Sequence, residues 1–174
     1  PSWSTISGQT GTTYDVPSGL TTTTQYRRVA ISTQNSVACE SPTASVQVTV
    51  NSVTAGSIGS AQTICSGGDP AAFTSTTAGS GSGTITYRWE SNTNLTTPSW
   101  STIAGQTGTT YDVPSGLTTT TQYRRVAIST QNGVACEAAT ASVQVTVNSV
   151  TAGSIGSAQT ICSGGDPAAF TSTT

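Results

Sequence analysis

Ile85-Thr86-Tyr87-Arg88-Trp89-Glu90 puts Ile85, Tyr87 and Trp89 on one side of an extended chain and Thr86, Arg88 and Glu90 on the other. Apolar residues at a period of two mark a strand with one face buried. Before it, Gln62 to Cys65 reads as a short first strand, Ser-Gly-Gly-Asp-Pro at 66–70 as a turn, and Ala71 to Thr76 as a second strand. The run Ala-Gly-Ser-Gly-Ser-Gly at 78–83 reads as a flexible connection. After it come short strands at 100–105 and 109–114, bounded by Gly and Pro, and longer ones at 119–130 and 142–148. Asn132-Gly133 between the last two is a hairpin turn, since both residues tolerate positive φ. Nothing reads as helix: Lys and Met are absent, and Leu occurs only at Leu20, Leu95 and Leu117. The chain is therefore expected to be all-β.

Shifted by 97 residues, the sequence falls on itself. Residues 1–77 repeat as 98–174, with differences only at Ser7/Ala104, Ser36/Gly133, Ser41/Ala138 and Pro42/Ala139. Such a period is too long for a solenoid unit and fits a whole immunoglobulin-like β-sandwich of ~100 residues. The expected organisation is the C-terminal part of one repeat (1–52), a complete repeat (53–149) and the N-terminal part of the next (150–174). A part repeat has open strand edges and half a core, so the array is expected to continue past both ends.

In strand 142–148, Val143, Val145 and Val147 are expected inside. Strand 119–130 has two phases. Either Tyr123, Arg125 and Ala127 face inward, or Arg124, Val126 and Ile128 do. Burying an unpaired Arg is costly, which favours Val126 and Ile128 inside, with a bulge near Arg124 that lets Tyr123 pack and leaves an outward Arg to pair with Glu90. The expected core is Trp89, Tyr87, Tyr123, Val126 and Val145.

Each repeat holds two cysteines. Spacing allows Cys65–Cys136 within the complete repeat, or Cys39–Cys65 and Cys136–Cys162 across boundaries; reduced buried thiols are the third option. The first is favoured, because each repeat then carries its own staple and Cys39 and Cys162 pair outside the chain. Disulfides imply an extracellular location.

Only 7% of residues are charged, and Ser plus Thr make up 63 of 174. With no His and no Lys, there is no imidazole base and no Schiff-base amine, and no catalytic residues are assigned. No cofactor or metal site is expected either: Asp69 reads as a turn-former before Pro70, and there is no CxxC spacing. The basic pairs Arg27-Arg28 and Arg124-Arg125 are too few, and point to opposite faces, for a nucleic-acid partner. No apolar run is long enough to insert in a membrane. Trp100 and Tyr111 are the candidates for a sugar-binding surface, and Asn94-Leu95-Thr96 fits a glycosylation sequon.

The runs AQTICSGGDPAAFTS (61–75), ITYRWESNT (85–93), SWSTIAGQTGTTYDVP (99–114), LTTTTQYRRVAIS (117–129) and VACEAATASVQVTVN (134–148) resemble the immunoglobulin-like repeats of giant Bacteroidota surface adhesins. These are SprB-like gliding adhesins secreted by the type IX pathway. The resemblance implies a cell-surface filament, anchored at the outer membrane, whose partners are neighbouring identical repeats and polysaccharide or solid surfaces. It matches Cys65 and Cys136 to the family's cysteine pair and Trp89 to its strand tryptophan. Two other readings are a glycan-binding module and the subunit of a self-assembling extracellular fibre.

Overall fold

The computed structural model describes residues 2–173; Pro1 and Thr174 lie outside the described residues. The fold is all-β, with no helix among the described residues. The first 52 residues carry β1 (Thr24–Tyr26), β2 (Val29–Gln34), β3 (Val37–Pro42) and β4 (Val46–Val48), paired as β1–β4 and β2–β3. The central body holds β5 (Val53–Thr54), β6 (Ser57–Ile58), β7 (Gln62–Cys65), β8 (Ser75–Thr77), β9 (Ser80–Gly81), β10 (Thr84–Asn92), β11 (Ser101–Thr102), β12 (Thr121–Gln131), β13 (Val134–Ala139) and β14 (Val143–Asn148). A last pair, β15 (Ser154–Ile155) and β16 (Ser172–Thr173), follows.

One six-stranded sheet organises the body, in the order β11-β10-β12-β14-β7, with β13 also on β12. β10 and β12 pair antiparallel without a break over nine residues, Thr84↔Thr130 to Asn92↔Gln122. On its other side β12 is shared: its start pairs with β14 and its end with β13. Thr140 bridges the step between them. Its backbone N–H donates to the Arg125 carbonyl at 2.9 Å, and its hydroxyl accepts the Arg125 N–H at 3.2 Å. The inner face of the sheet is covered by short pieces: β5 on β9, β6 on β8, and the bridges Phe73↔Tyr111 and Gly68↔Leu117.

Between the layers, Phe73, Trp89, Tyr111 and Tyr123 form a closed ring in which each touches two others, at centroid separations of 5.4–6.0 Å. Val113 and Val145 complete the buried cluster. Such aromatic pairs add ~0.5–1.5 kcal/mol each beyond area burial. The indole N–H of Trp89 donates to the Gly108 carbonyl at 3.0 Å, so burial leaves it no unmet donor.

Two expectations need correction here. The β12 inner face is Tyr123, Arg125, Ala127 and Ser129, not Val126 and Ile128, and its pairing with β10 runs through Arg124 unbroken. The irregularity expected near Arg124 falls instead on the opposite side, where the pairing steps from Tyr123↔Val143 to Val126↔Ala139 and leaves one extra residue in the stretch that joins β13 to β14. Val126 is buried but lies outside the aromatic core, on the opposite face between Arg88 and Ala139. The cost of burying Arg125 is offset by backbone carbonyls rather than by a carboxylate, and only its Nε is left without a partner. The Arg125 guanidinium, fully buried, donates to the carbonyls of Thr109 (3.0 Å), Thr77 (3.0 Å) and Ala55 (3.4 Å) and sits 4.6 Å from the Tyr87 ring centre. Three segments of the covering layer thus converge on one side chain. Burial lowers the Arg125 pKa, against the opposing influence of Tyr87.

The Ala78–Gly83 run is not slack. A Cβ on Gly79 would lie 2.7 Å from the Ala127 Cβ, on Gly81 2.6 Å from the Ser129 hydroxyl, and on Gly83 2.2 Å from the Thr130 carbonyl oxygen. Glycines here let the two layers approach against the small residues of β12.

The same sequence behaves differently in its two copies. Tyr111 is 7% exposed but its counterpart Tyr14 is 36% exposed, and Val46 is 68% exposed where Val143 packs on the core. Residues 1–52 have no counterpart of β10. A hollow of about 400 Å³ lined by Trp3, Ile6, Thr24 and Tyr26 opens beside β1 in this copy. Local features survive regardless: the left-handed turn recurs at Asn35-Ser36 and Asn132-Gly133.

Candidate functional site

The outer face of the large sheet carries the densest polar cluster. In register, Glu90 faces Arg124, and Arg88 lies two residues along the same strand. Alternation puts all three on the side away from Trp89. Glu90 is buried, and its carboxylate accepts from Arg88 Nε at 2.8 Å and Arg124 Nε at 2.6 Å. Arg88 also grips Glu137 on β13 through both terminal nitrogens, at 2.5 and 2.8 Å. The Arg124 guanidinium lies 4.2 Å over the ring of Trp100, as Arg27 lies 4.3 Å over Trp3 in the first copy.

Burial by itself would raise the Glu90 carboxyl, but the hydrogen bonds from Arg88 and Arg124 outweigh it and hold the group below its ordinary 4.5. The bond from Arg88 likewise lowers Glu137, and those two carboxylates raise Arg88. Every charge here is matched, so the cluster clamps β10, β12 and β13 together. It presents no acid–base pair with a free proton to move.

The outward arginine expected to meet Glu90 is Arg124. The proposed sugar surface does not assemble. Trp100 is half-buried under Arg124, while Tyr111 belongs to the interior ring on the other side of the sheet. Trp89 and Val145 sit in the core cluster with Tyr123, and Tyr87 is half-buried against Arg125. Asp69 is exposed in its turn, and among the described residues no three His, Cys, Asp or Glu side chains come together. Asn94 sits in an exposed loop, with its side-chain oxygen accepting from Thr96 and Thr97. No helix of the described residues is long and apolar enough to cross a membrane.

The Cys65–Cys136 bridge is not formed; all four cysteines are free. The register gives the reason. Cys65 faces Asn148, three residues past Val145, which faces Thr121; Cys136 faces Ser129, eight residues the other way. At ~3.3 Å per residue the two cysteines lie roughly 35 Å apart at opposite ends of the body, whereas a disulfide needs Cα atoms within ~7 Å.

What sequence reasoning missed is the joint between copies. The backbone N–H of Val50 donates to Thr23 of the first copy at 3.0 Å. The next residue, Asn51, already belongs to the central body. Its amide donates to the carbonyls of Ser129 (2.6 Å) and Val134 (2.9 Å) and accepts from the Ser129 hydroxyl (2.7 Å). Ser52 then exchanges backbone and side-chain bonds with Ser82. The chain passes from one unit to the next with no free residue between them. The signal was present in the sequence: an Asn closing each valine strand, at Asn51 and Asn148.

A family profile described as a domain of unknown function, DUF8696, matches residues 1–52 and again 54–149. No curated protein and no solved structure matches the chain. The chain, with two successive matches covering most of its length, belongs to the DUF8696 family.

Proposed function

We propose that this chain is a segment of a stalk: tandem immunoglobulin-like sandwiches strung head to tail on the surface of a bacterial cell, extending an adhesin that holds the cell to a surface. The observation that carries the reading is the slack-free joint at Val50-Asn51, where hydrogen bonds to two successive units fall on adjacent residues. A binding module needs no such joint; a spacer that must transmit length and pull does. The near-identical 97-residue repeat, the resemblance to surface-adhesin repeats, and an outer face whose charges are spent on one another support the same reading. The sparse charge leaves a Ser/Thr-rich exterior suited to many weak contacts with polysaccharide or solid surfaces, where multivalency supplies the strength. In the gliding adhesins it resembles, such a filament is carried along the cell surface, and we extend that role to this one.

The test is genetic and direct. Cells deleted for the array are expected to lose attachment to glass and polysaccharide coatings, and protease added to intact wild-type cells is expected to digest the array. Unchanged attachment, or an array shielded until the cells are broken, refutes the proposal.

A further inference from the structure

We infer that the cysteines form disulfides between consecutive repeats, each linking the β7 cysteine of one repeat to the β13 cysteine of the next. The inference rests on the tandem, extracellular reading above and adds a specific covalent connectivity to it.

Three contacts place the two sulfurs at the same joint. Cys65 is the register partner of Asn148 in the parallel β7–β14 pair, so the two side chains project to the same side of the sheet. Asn148 is the repeat counterpart of Asn51. Asn51 in turn is seated on the backbone of Ser129 and Val134 of the unit that follows it. Cys136 is the register partner of Ser129 and, two residues from Val134, shares its face. A cysteine beside the asparagine of one repeat therefore meets a cysteine beside the seat of that asparagine in the next.

The same geometry accounts for the free thiols. Cys136 would pair with a β7 cysteine in a complete preceding repeat, and Cys65 with a β13 cysteine in a complete following one. Neither counterpart lies within residues 1–174. Cys65 is exposed and Cys136 only partly covered, so both are open to exchange. The chemistry balances with an oxidised low-molecular-weight disulfide as oxidant. One thiolate attacks it to give a mixed disulfide and release one thiol. The second cysteine then displaces the other thiol, leaving the inter-repeat S–S bond.

The test uses the full chain and the same chain lengthened to complete its third repeat. Each is equilibrated with oxidised and reduced glutathione, and thiols are counted by mass after maleimide labelling. The 174-residue chain is expected to form no internal disulfide. The lengthened chain is expected to form a single one, which Cys65→Ser abolishes and Cys136→Ser leaves intact. A bond in the 174-residue chain, or one lost on Cys136→Ser, overturns the inference. So does a lengthened chain that melts cooperatively yet keeps every thiol free; that result leaves the stalk reading standing. Loss of cooperative melting in reduced lengthened chain would instead count against the tandem units themselves and take the inference with them.

Discussion

Adding one methyl group at Gly79 tests how closely the two layers meet. The new Cβ of Gly79→Ala would stand 2.7 Å from the Ala127 Cβ and 3.0 and 3.2 Å from the carbonyl oxygens of Thr54 and Ala55. Carbon atoms normally rest ~3.5–4.0 Å apart, so the layers must part by close to an ångström. Overpacking of this kind costs ~1–3 kcal/mol. Gly79 is outside the left-handed region, so alanine brings no backbone penalty and contributes ~0.4–1 kcal/mol by restricting the unfolded chain. The expected net loss is about 1–2 kcal/mol, or a Tm lower by ~4–8 °C per kcal/mol for a unit of this size. Ala127→Gly removes the atom met first. By itself it destabilises, losing a buried methyl worth ~0.8 kcal/mol and gaining glycine entropy. In that background Gly79→Ala is expected to cost clearly less, with only the tight contacts to the Thr54 and Ala55 carbonyls remaining, a coupling of about 1 kcal/mol in a double-mutant cycle. Urea unfolding followed by Trp fluorescence measures all four corners. If Gly79→Ala alone leaves the midpoint unchanged, or the two changes simply add, the run at 78–83 is a loose loop and the packing argument fails.

Other outcomes follow from the same packing. The folded-state pKa values of Glu90 and Glu137 are depressed, so their stabilisation is complete above the ordinary carboxylate range and drains away as pH falls through it. Tm is expected to drop from pH 7 to pH 3, with a shallower slope in Glu90→Gln, which also costs about 1–2 kcal/mol at neutral pH; an identical slope in the variant contradicts the clamp. Trp89→Ala is expected to cost ~3–5 kcal/mol by opening the aromatic ring, measured by urea unfolding; a cost under 1 kcal/mol would remove it from the core. Gly133→Ser imposes on the complete repeat the left-handed serine found at Ser36 and is expected to lower stability by ~1 kcal/mol, without changing the hairpin register in amide-proton NMR spectra. Asn51→Ala removes three hydrogen bonds at the joint. It is expected to leave the Tm of the body within a few degrees while broadening the scattering-derived distance distribution of multi-repeat arrays.

The strands whose side chains alternate were legible from the sequence. ITYRWE and SVQVTVN announce their faces because a period of two has one physical meaning. The phase of β12 was not, because its inner face is Tyr, Arg, Ala and Ser; polarity pointed outward, and only the carbonyls of Ala55, Thr77 and Thr109 make the inward choice favourable. The Gly/Ser run misled for a related reason. Composition cannot distinguish glycine chosen for freedom from glycine chosen for closeness, and Ala127 and Ser129, the residues that decide it, lie more than forty positions away. The cysteine pairing failed on register, since loop length says nothing of which end of a sheet a residue occupies. The joint at Asn51 was hidden because a junction of small residues, Asn-Ser-Val-Thr-Ala-Gly-Ser at 51–57, permits a stiff or a flexible connection alike until its partners are in place.

The stalk account stands or falls on whether repeats add length stiffly. Small-angle scattering from purified arrays of two, four and six complete repeats measures this directly. The body spans from the β12–β13 hairpin to Asn148, so each added repeat is expected to extend the maximum dimension by a constant ~35–45 Å, as strands rising ~3.3 Å per residue require. A dimension that instead grows with roughly the square root of repeat number, as for a flexibly jointed chain, would contradict it.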